Sequence, residues 1–179
     1  ADQGGRNAHE EGGEGQIELT ALENALKERP TAIVAVADVS NVLGTVNPTA
    51  TIVELAHRYN APVLVDTAQS LPHLPVNVGR LGADFIVGSA HKLYGPTGIG
   101  FLWGKQEHLE AMPPYQFGGD MIRSVSIEET SWNDVPWKFE AGTPNIAGAI
   151  GFAAAVDFLS KLGWQAIADH EEKLLIYAD

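Results

Sequence analysis

Two hydrophobic rhythms alternate along the chain from Ile17 onward. Leu19, Leu22, Ala25 and Leu26 recur at i, i+3, i+6 and i+7, which predicts a short helix ending near Pro30. The apolar run Ala32 to Ala37 follows, rich in Ile33, Val34 and Val36. Its length and β-branched content predict a strand buried on both faces that stops at the polar cluster Asp38 to Asn41. After a turn at Gly44, Asn47-Pro48-Thr49 reads as a helix start with Asn47 as the cap and Pro48 at the first helical position. Ile52, Leu55, Ala56 and Tyr59 form one face of that helix, which ends near Asn60. Ala61 to Val65 is a second buried strand closing on Asp66, Phe85 to Val87 the core of a third, and Ile99 to Trp103 a fourth. This alternation predicts an α/β fold: a mostly parallel sheet with helices on both faces.

Beyond Met112 the rhythm breaks. Pro113, Pro114, Gly118, Gly119 and Pro136 punctuate Tyr115, Phe117, Trp132, Trp137 and Phe139, so residues 113–139 are expected to form a long irregular segment whose aromatics serve an interface between subunits. An isolated chain exposing them is expected to be poorly soluble. An alanine-rich helix is expected from Asn145 to about Leu162 and a last one from Trp164 to Tyr177, where Asp169 to Glu172 reads as a solvated face. Residues 1–15 hold five glycines and almost nothing apolar, and are expected to be a loose acidic leader. The chain stops inside a helical pattern, which suggests a truncation.

Composition narrows the chemistry. Among 179 residues, 23 acidic against 11 basic side chains give a net charge of −12, which opposes a nucleic-acid backbone. No apolar run is long enough to span a bilayer, and there is no secretory signal pattern, so a cytoplasmic compartment is the expectation. Zero cysteines exclude disulfides, thiolate metal sites and a nucleophilic thiol within this chain. Six histidines fall at no metal-ligand spacing, so no metal is expected. The turn Gly95-Pro96-Thr97-Gly98-Ile99-Gly100 lacks the lysine and hydroxyl of a phosphate-binding P-loop; it reads as a tight passage of backbone near Lys92.

The polar residues that remain gather at strand ends, where open parallel sheets bind ligands. Asn41 follows the first strand, Asp66 and Gln69 the second, and Ser89, His91 and Lys92 the third. A lysine past one strand and an acid past its neighbour are what pyridoxal 5'-phosphate needs, an amine for the Schiff base and a carboxylate for the pyridinium nitrogen. Taken singly, each has a plainer reading: Asp66 as a helix cap, Gln69 and Ser89 as backbone caps, His91 as a packing residue.

The stretches SNVLGT (40–45), VDTAQS (65–70), SAHKLYGPTGIGFLWG (89–104) and FEAGTPN (139–145) resemble the class V aminotransferase family of fold type I pyridoxal-phosphate enzymes. Within it the likeness is to group II cysteine desulfurases of the sulfur-mobilising type. The resemblance implies a catalytic Lys92 bonded to the cofactor, Asp66 at the pyridine nitrogen, Gln69 at the phenolic oxygen, and Ser89 and His91 at the phosphate. It further implies Asn41 near the ring and substrate carboxylate, and Thr143 reaching the phosphate of a partner subunit's cofactor, hence a homodimer. L-cysteine would yield L-alanine and an enzyme persulfide for iron–sulfur cluster assembly, with a sulfur-acceptor protein downstream. His91 would assist proton movement at the thiol. The stacking residue, the persulfide cysteine and the carboxylate-gripping arginine of that family align to no position here. Residues 16–179 therefore read as a partial large domain, without the small domain and the cysteine region, inactive in isolation. The alternatives are another class V enzyme (selenocysteine lyase, a kynureninase-like hydrolase or a transaminase) and a non-catalytic remnant of the fold.

Overall fold

The stripe at Leu19 builds α1 (Leu19–Glu28), with Leu22 and Leu26 buried. It lies against α2 (Thr49–Arg58), and together they cover one face of a four-stranded sheet. The computed structural model describes residues 15–178, so the expected leader lies, Gly15 apart, outside the described residues. The strands are β1 (Val34–Ala37), β2 (Val63–Asp66), β3 (Phe85–Ser89) and β4 (Gly100–Gly104), in spatial order β1-β2-β3-β4. The first three are parallel, with Val34 beside Val63 and Leu64 beside Phe85; β4 runs antiparallel to β3. The mostly parallel α/β architecture is as the alternation of elements implied.

Val36, Val63, Val65 and Ile86 meet Ile52, Val53, Leu55 and Ala56 of α2 in the core. Each such side chain withdrawn from water contributes about 1.5–3 kcal/mol. The opposite face is covered only in part. Short α4 (Gln106–Ala111) sets His108 against the Phe85 ring, with centroids 5.4 Å apart. Strand β1 is not buried on both faces as its apolar run suggested: Val36 is buried, but Ala35 and Ala37 are exposed. The reason is position, since β1 is an edge strand and no helix among the described residues covers its second face. Leu102 of β4 is likewise 53% exposed.

The start of α2 also differs from expectation. Pro48 is the cap residue, and Asn47 caps nothing there. Its amide instead donates to the Ala37 carbonyl at 2.8 Å, and Thr49 donates to Asp38 Oδ1 at 2.6 Å. Both bonds fasten the helix start to the end of β1. A one-turn helix, α3 (Val78–Leu81), capped by Asn77, leads into β3.

Residues 113–139 are not structureless. β5 (Ile122–Val125) and β6 (Thr130–Trp132) pair as an antiparallel hairpin, and Ser126 closes its turn by accepting from the Glu128 and Glu129 amides. Phe117 stacks on Trp132 at 5.2 Å, while Tyr115 and Trp137 remain exposed. α5 (Ile146–Leu162) starts on Asn145, whose side chain accepts from the Gly148 amide, and α6 (Trp164–Ala178) follows. Glu171 is not merely solvated: it meets His73 at 2.6 Å, and the Trp164 indole donates to the Leu71 carbonyl at 3.1 Å. No single helix among the described residues is long and apolar enough to cross a membrane.

Close packing between β3 and β4 makes one glycine testable. A Cβ on Gly100 would lie 2.5 Å from the Gly88 carbonyl oxygen, a backbone atom that cannot rotate away. Gly100→Ala is expected to destabilise the chain by about 1–3 kcal/mol, read from its urea midpoint. An unchanged midpoint would mean that the two strands are not held this closely.

Candidate functional site

The ends of the three parallel strands are locked in register by bonds that continue the ladder past the strands themselves. The Asp38 amide donates to the Asp66 carbonyl, and the Thr67 amide to the Val87 carbonyl, each at 2.9 Å. Polar side chains borne on these ends therefore start from fixed platforms.

Asn41 stands in a tight turn after β1. Ser40 Oγ accepts from the Val42 and Leu43 amides at 3.3 and 3.1 Å, and the Gly44 amide bonds the Ser40 carbonyl. Gly44 has φ +70°, a left-handed conformation that glycine adopts without strain. The Gln69 amide donates to Asn41 Oδ1, so residues following two different strands meet side chain to side chain.

Asp66 closes β2. Its Oδ1 accepts from the Ala68 amide at 2.8 Å, which closes a turn and caps no helix, since none follows before α3, and this occupies one oxygen only. Thr67 and Ser70, next to the exposed Asp66, are fully buried.

Ser89 closes β3, and its Oγ lies 2.7 Å from His91 Nδ1. Lys92 sits in the 3-10 turn Ala90–Leu93, half-buried and with no hydrogen bond or ion pair among the described residues. The Gly95 amide closes that turn on the Ala90 carbonyl at 2.9 Å. A Cβ on Gly95 would lie 2.9 Å from the same carbonyl oxygen, so the backbone passes as closely behind the lysine turn as its glycines suggested. Tyr94 follows at φ +60°, a costly conformation for a bulky residue, which ends the turn abruptly after Lys92 and Leu93.

Six of the seven sequence candidates thus lie at the carboxyl ends of the parallel strands. Thr143 stands apart. It is exposed, follows Gly142 at φ +81°, and has no hydrogen bond to the other six.

The strongest electrostatic feature escaped the sequence reading. Asp84, 4% exposed just before β3, receives Val63 N–H and His57 Nε2 on Oδ2, both at 2.7 Å. Its Oδ1 receives Lys105 Nζ at 2.6 Å and His108 Nε2 at 3.3 Å. Burial alone would raise its pKa. The bonds from Lys105, His57 and the Val63 amide outweigh that and hold the carboxyl well below the ordinary carboxylate range. The hub lies at the end of β3 opposite Ser89 and ties α2, β2 and α4 to that strand. The one signal for it was an acid placed directly before the apolar run Phe85 to Val87.

A cleft of about 600 Å³ opens between α4 and the segment that follows the hairpin, lined by Gln106, Glu110, Asp134 and Lys138 among others. Lys138 is buried there and donates to the Glu110 carbonyl at 2.9 Å, capping the last turn of α4. The cleft contains none of the seven candidates.

Residues 8–179 match the sequence profile of the family described as Aminotransferase class-V. A probable cysteine desulfurase of Halalkalibacterium halodurans is 52% identical over 165 residues, covering 92% of this chain and 40% of that protein. A cysteine desulfurase of Klebsiella pneumoniae strain 342 is 51% identical over 166 residues, covering 92% and 41%. Among solved structures, the apo cysteine desulfurase of Thermococcus onnurineus NA1 has a TM-score of 0.85 at 39% identity, covering 92% of this chain and 41% of that one. The cysteine desulfurase CsdA of Escherichia coli has a TM-score of 0.76 at 44% identity, covering 80% and 37%. The chain therefore spans about two fifths of the length of these relatives. With a profile that matches from residue 8 to the last residue, a sheet that superposes on these structures and identity near one half, this chain belongs to the aminotransferase class-V family.

Proposed function

We propose that this chain is the central, cofactor-holding part of a pyridoxal-phosphate-dependent cysteine desulfurase. The observation that carries the reading is the state of the donors at the strand ends. Among the described residues, Lys92 offers a half-buried amine with no side-chain partner, and Asp66 keeps one carboxylate oxygen free after closing its own turn. Ser89 and His91 form a hydroxyl–imidazole pair on the intervening turn, with His91 Nε2 unengaged among the described residues. Amine, carboxylate and neutral hydrogen-bonding groups are the donor set that pyridoxal phosphate calls for, and the residues fit it.

Lys92 would hold the cofactor, Asp66 its ring nitrogen, Gln69 its phenolic oxygen, and Ser89 with His91 its phosphate. When bound, the cofactor supplies an electron sink for bond breaking at the α-carbon of an amino acid. The Asp66 carboxylate would hold a proton at the ring nitrogen through its charge. Lys92 Nζ would carry the proton from the α-carbon, whereas His91, with Nδ1 on Ser89 and Nε2 given to the phosphate, has no nitrogen left for the substrate thiol. Asn41, oriented by Gln69, binds the substrate carboxylate. The sulfur passes to a cysteine elsewhere in the complete protein, leaving L-alanine, and from there to an acceptor protein in iron–sulfur cluster assembly. Exposed Thr143, with no bond to the other six residues, is assigned to the phosphate of a second subunit's cofactor in a homodimer. A cytoplasmic location completes the proposal.

Expressed from its complete reading frame and loaded with pyridoxal phosphate, the protein is expected to release alanine from L-cysteine. Lys92→Ala should lower that rate by about three orders of magnitude, since it removes both the tether and the base. Turnover of L-kynurenine or transamination of a keto acid in place of alanine release would assign it to another branch of the family. Alanine release that survives Lys92→Ala would overturn the role given to this lysine.

A further inference from the structure

We infer that Thr67 is a positioning residue, whose hydroxyl sets the aim of Asp66 and Gln69 relative to the turn that carries Lys92. The inference rests on the cofactor reading above and adds a residue to it. Thr67 is fully buried, and its hydroxyl is satisfied inside the sheet and not by solvent. Its amide and its Oγ1 both donate to one acceptor, the Val87 carbonyl, at 2.9 and 2.8 Å. One bond would continue the ladder of β2 and β3. Two bonds from the same residue fix the backbone and the side-chain rotamer together, which leaves the residues on either side little freedom.

Those neighbours are the ones that matter. Asp66 precedes Thr67, Gln69 lies two residues beyond it, and Val87 lies two residues before Ser89. The Thr67 carbonyl accepts from the Leu71 amide at 3.0 Å and from Ser70 Oγ at 3.3 Å, so the two peptide units that flank Thr67 are both held. A carboxylate and a lysine that must grip opposite parts of one small molecule tolerate little relative displacement. The Thr67 hydroxyl is the side-chain bond that joins their two supporting segments across the sheet.

The test uses pyridoxal phosphate itself, with borohydride reduction and mass spectrometry to quantify the pyridoxyl adduct on Lys92 across a cofactor titration. Thr67→Val keeps the shape and removes the hydroxyl. It is expected to raise the half-saturating concentration about fivefold, the equivalent of one lost hydrogen bond, while circular dichroism and the melting transition remain those of a folded chain. Thr67→Ser, which restores the hydroxyl without the methyl, is expected to return the value toward that of the unsubstituted chain. A Lys92 adduct forming equally well in Thr67→Val would overturn this inference alone. Absence of a Lys92 adduct in the unsubstituted chain would overturn the cofactor reading and this inference with it. Thr67→Ala serves as a second hydroxyl-free variant. Loss of fold in both it and Thr67→Val would also overturn the inference, because it would assign Thr67 to the scaffold.

Discussion

Asp84→Ala is expected to destabilise the chain by about 3 kcal/mol, the lower end of what removing one partner from a buried ion pair costs. The lower end applies because Lys105, His57 and His108 are each about one-third exposed and can regain water. What water cannot repair is the Val63 amide, buried in the core and bonded at 2.7 Å to the missing carboxylate. Asp84→Asn keeps an acceptor for that amide and should cost less. The difference between the two variants separates the hydrogen bond from the charge. Urea titration reads both, and a shift below about 1 kcal/mol for Asp84→Ala would show that the hub does not hold. The same carboxylate gives the stability a definite pH dependence. Its pKa in the folded chain lies below the value of about 3.9 expected when unfolded. Its contribution is therefore fully present above about pH 4 and is lost as the pH falls further, toward the folded value. In Asp84→Asn this part of the acid limb should vanish.

Asp66→Ala is expected to weaken pyridoxal phosphate binding about 10- to 100-fold, the range for a lost hydrogen bond to a charged group. Two functions are proposed for this side chain, a turn-closing acceptor for the Ala68 amide and a second carboxylate oxygen for the cofactor. Asp66→Asn separates them, because its amide oxygen can still accept from the Ala68 amide while the charge is gone. If the charge matters, Asn binds nearly as poorly as Ala, yet melts close to the unsubstituted chain. If only the turn closure matters, Asn recovers binding. Equal cofactor affinity in all three chains would remove Asp66 from the site.

Elements whose side chains report directly on their surroundings were legible in the residues. α1 and α2 showed their apolar spacing, α5 its alanine-rich composition, and β2 and β3 showed continuous apolar runs because the sheet buries them. Six candidate residues could be gathered without coordinates because a parallel sheet points its strand ends the same way. The features that were not legible depend on partners distant in sequence. β4 runs antiparallel to β3 with Gly100 close against Gly88, a pairing that no local pattern encodes. The β5–β6 hairpin pairs small polar residues, Ser124 with Ser131, and turns through Ser126 to Glu129 with no glycine, so neither alternation nor a turn signal announced it. Asp84 is an ordinary acid until Lys105, His57 and the Val63 amide surround it. Asn47 looked like a cap because Asn-Pro-Thr is a helix-start pattern, but its amide satisfied the Ala37 carbonyl instead. At the site, the residue types suggested the chemistry, and the register that holds them, through Thr67 and Val87, emerged only in three dimensions.

The most direct measurement is to mix the purified 179-residue chain with pyridoxal phosphate, reduce with borohydride, and locate pyridoxyl-lysine by mass spectrometry, with Lys92→Ala alongside. A single adduct on Lys92, absent from the variant, is the result expected if the strand ends hold the cofactor. Adducts scattered over the surface lysines, or equal labelling in Lys92→Ala, would contradict it.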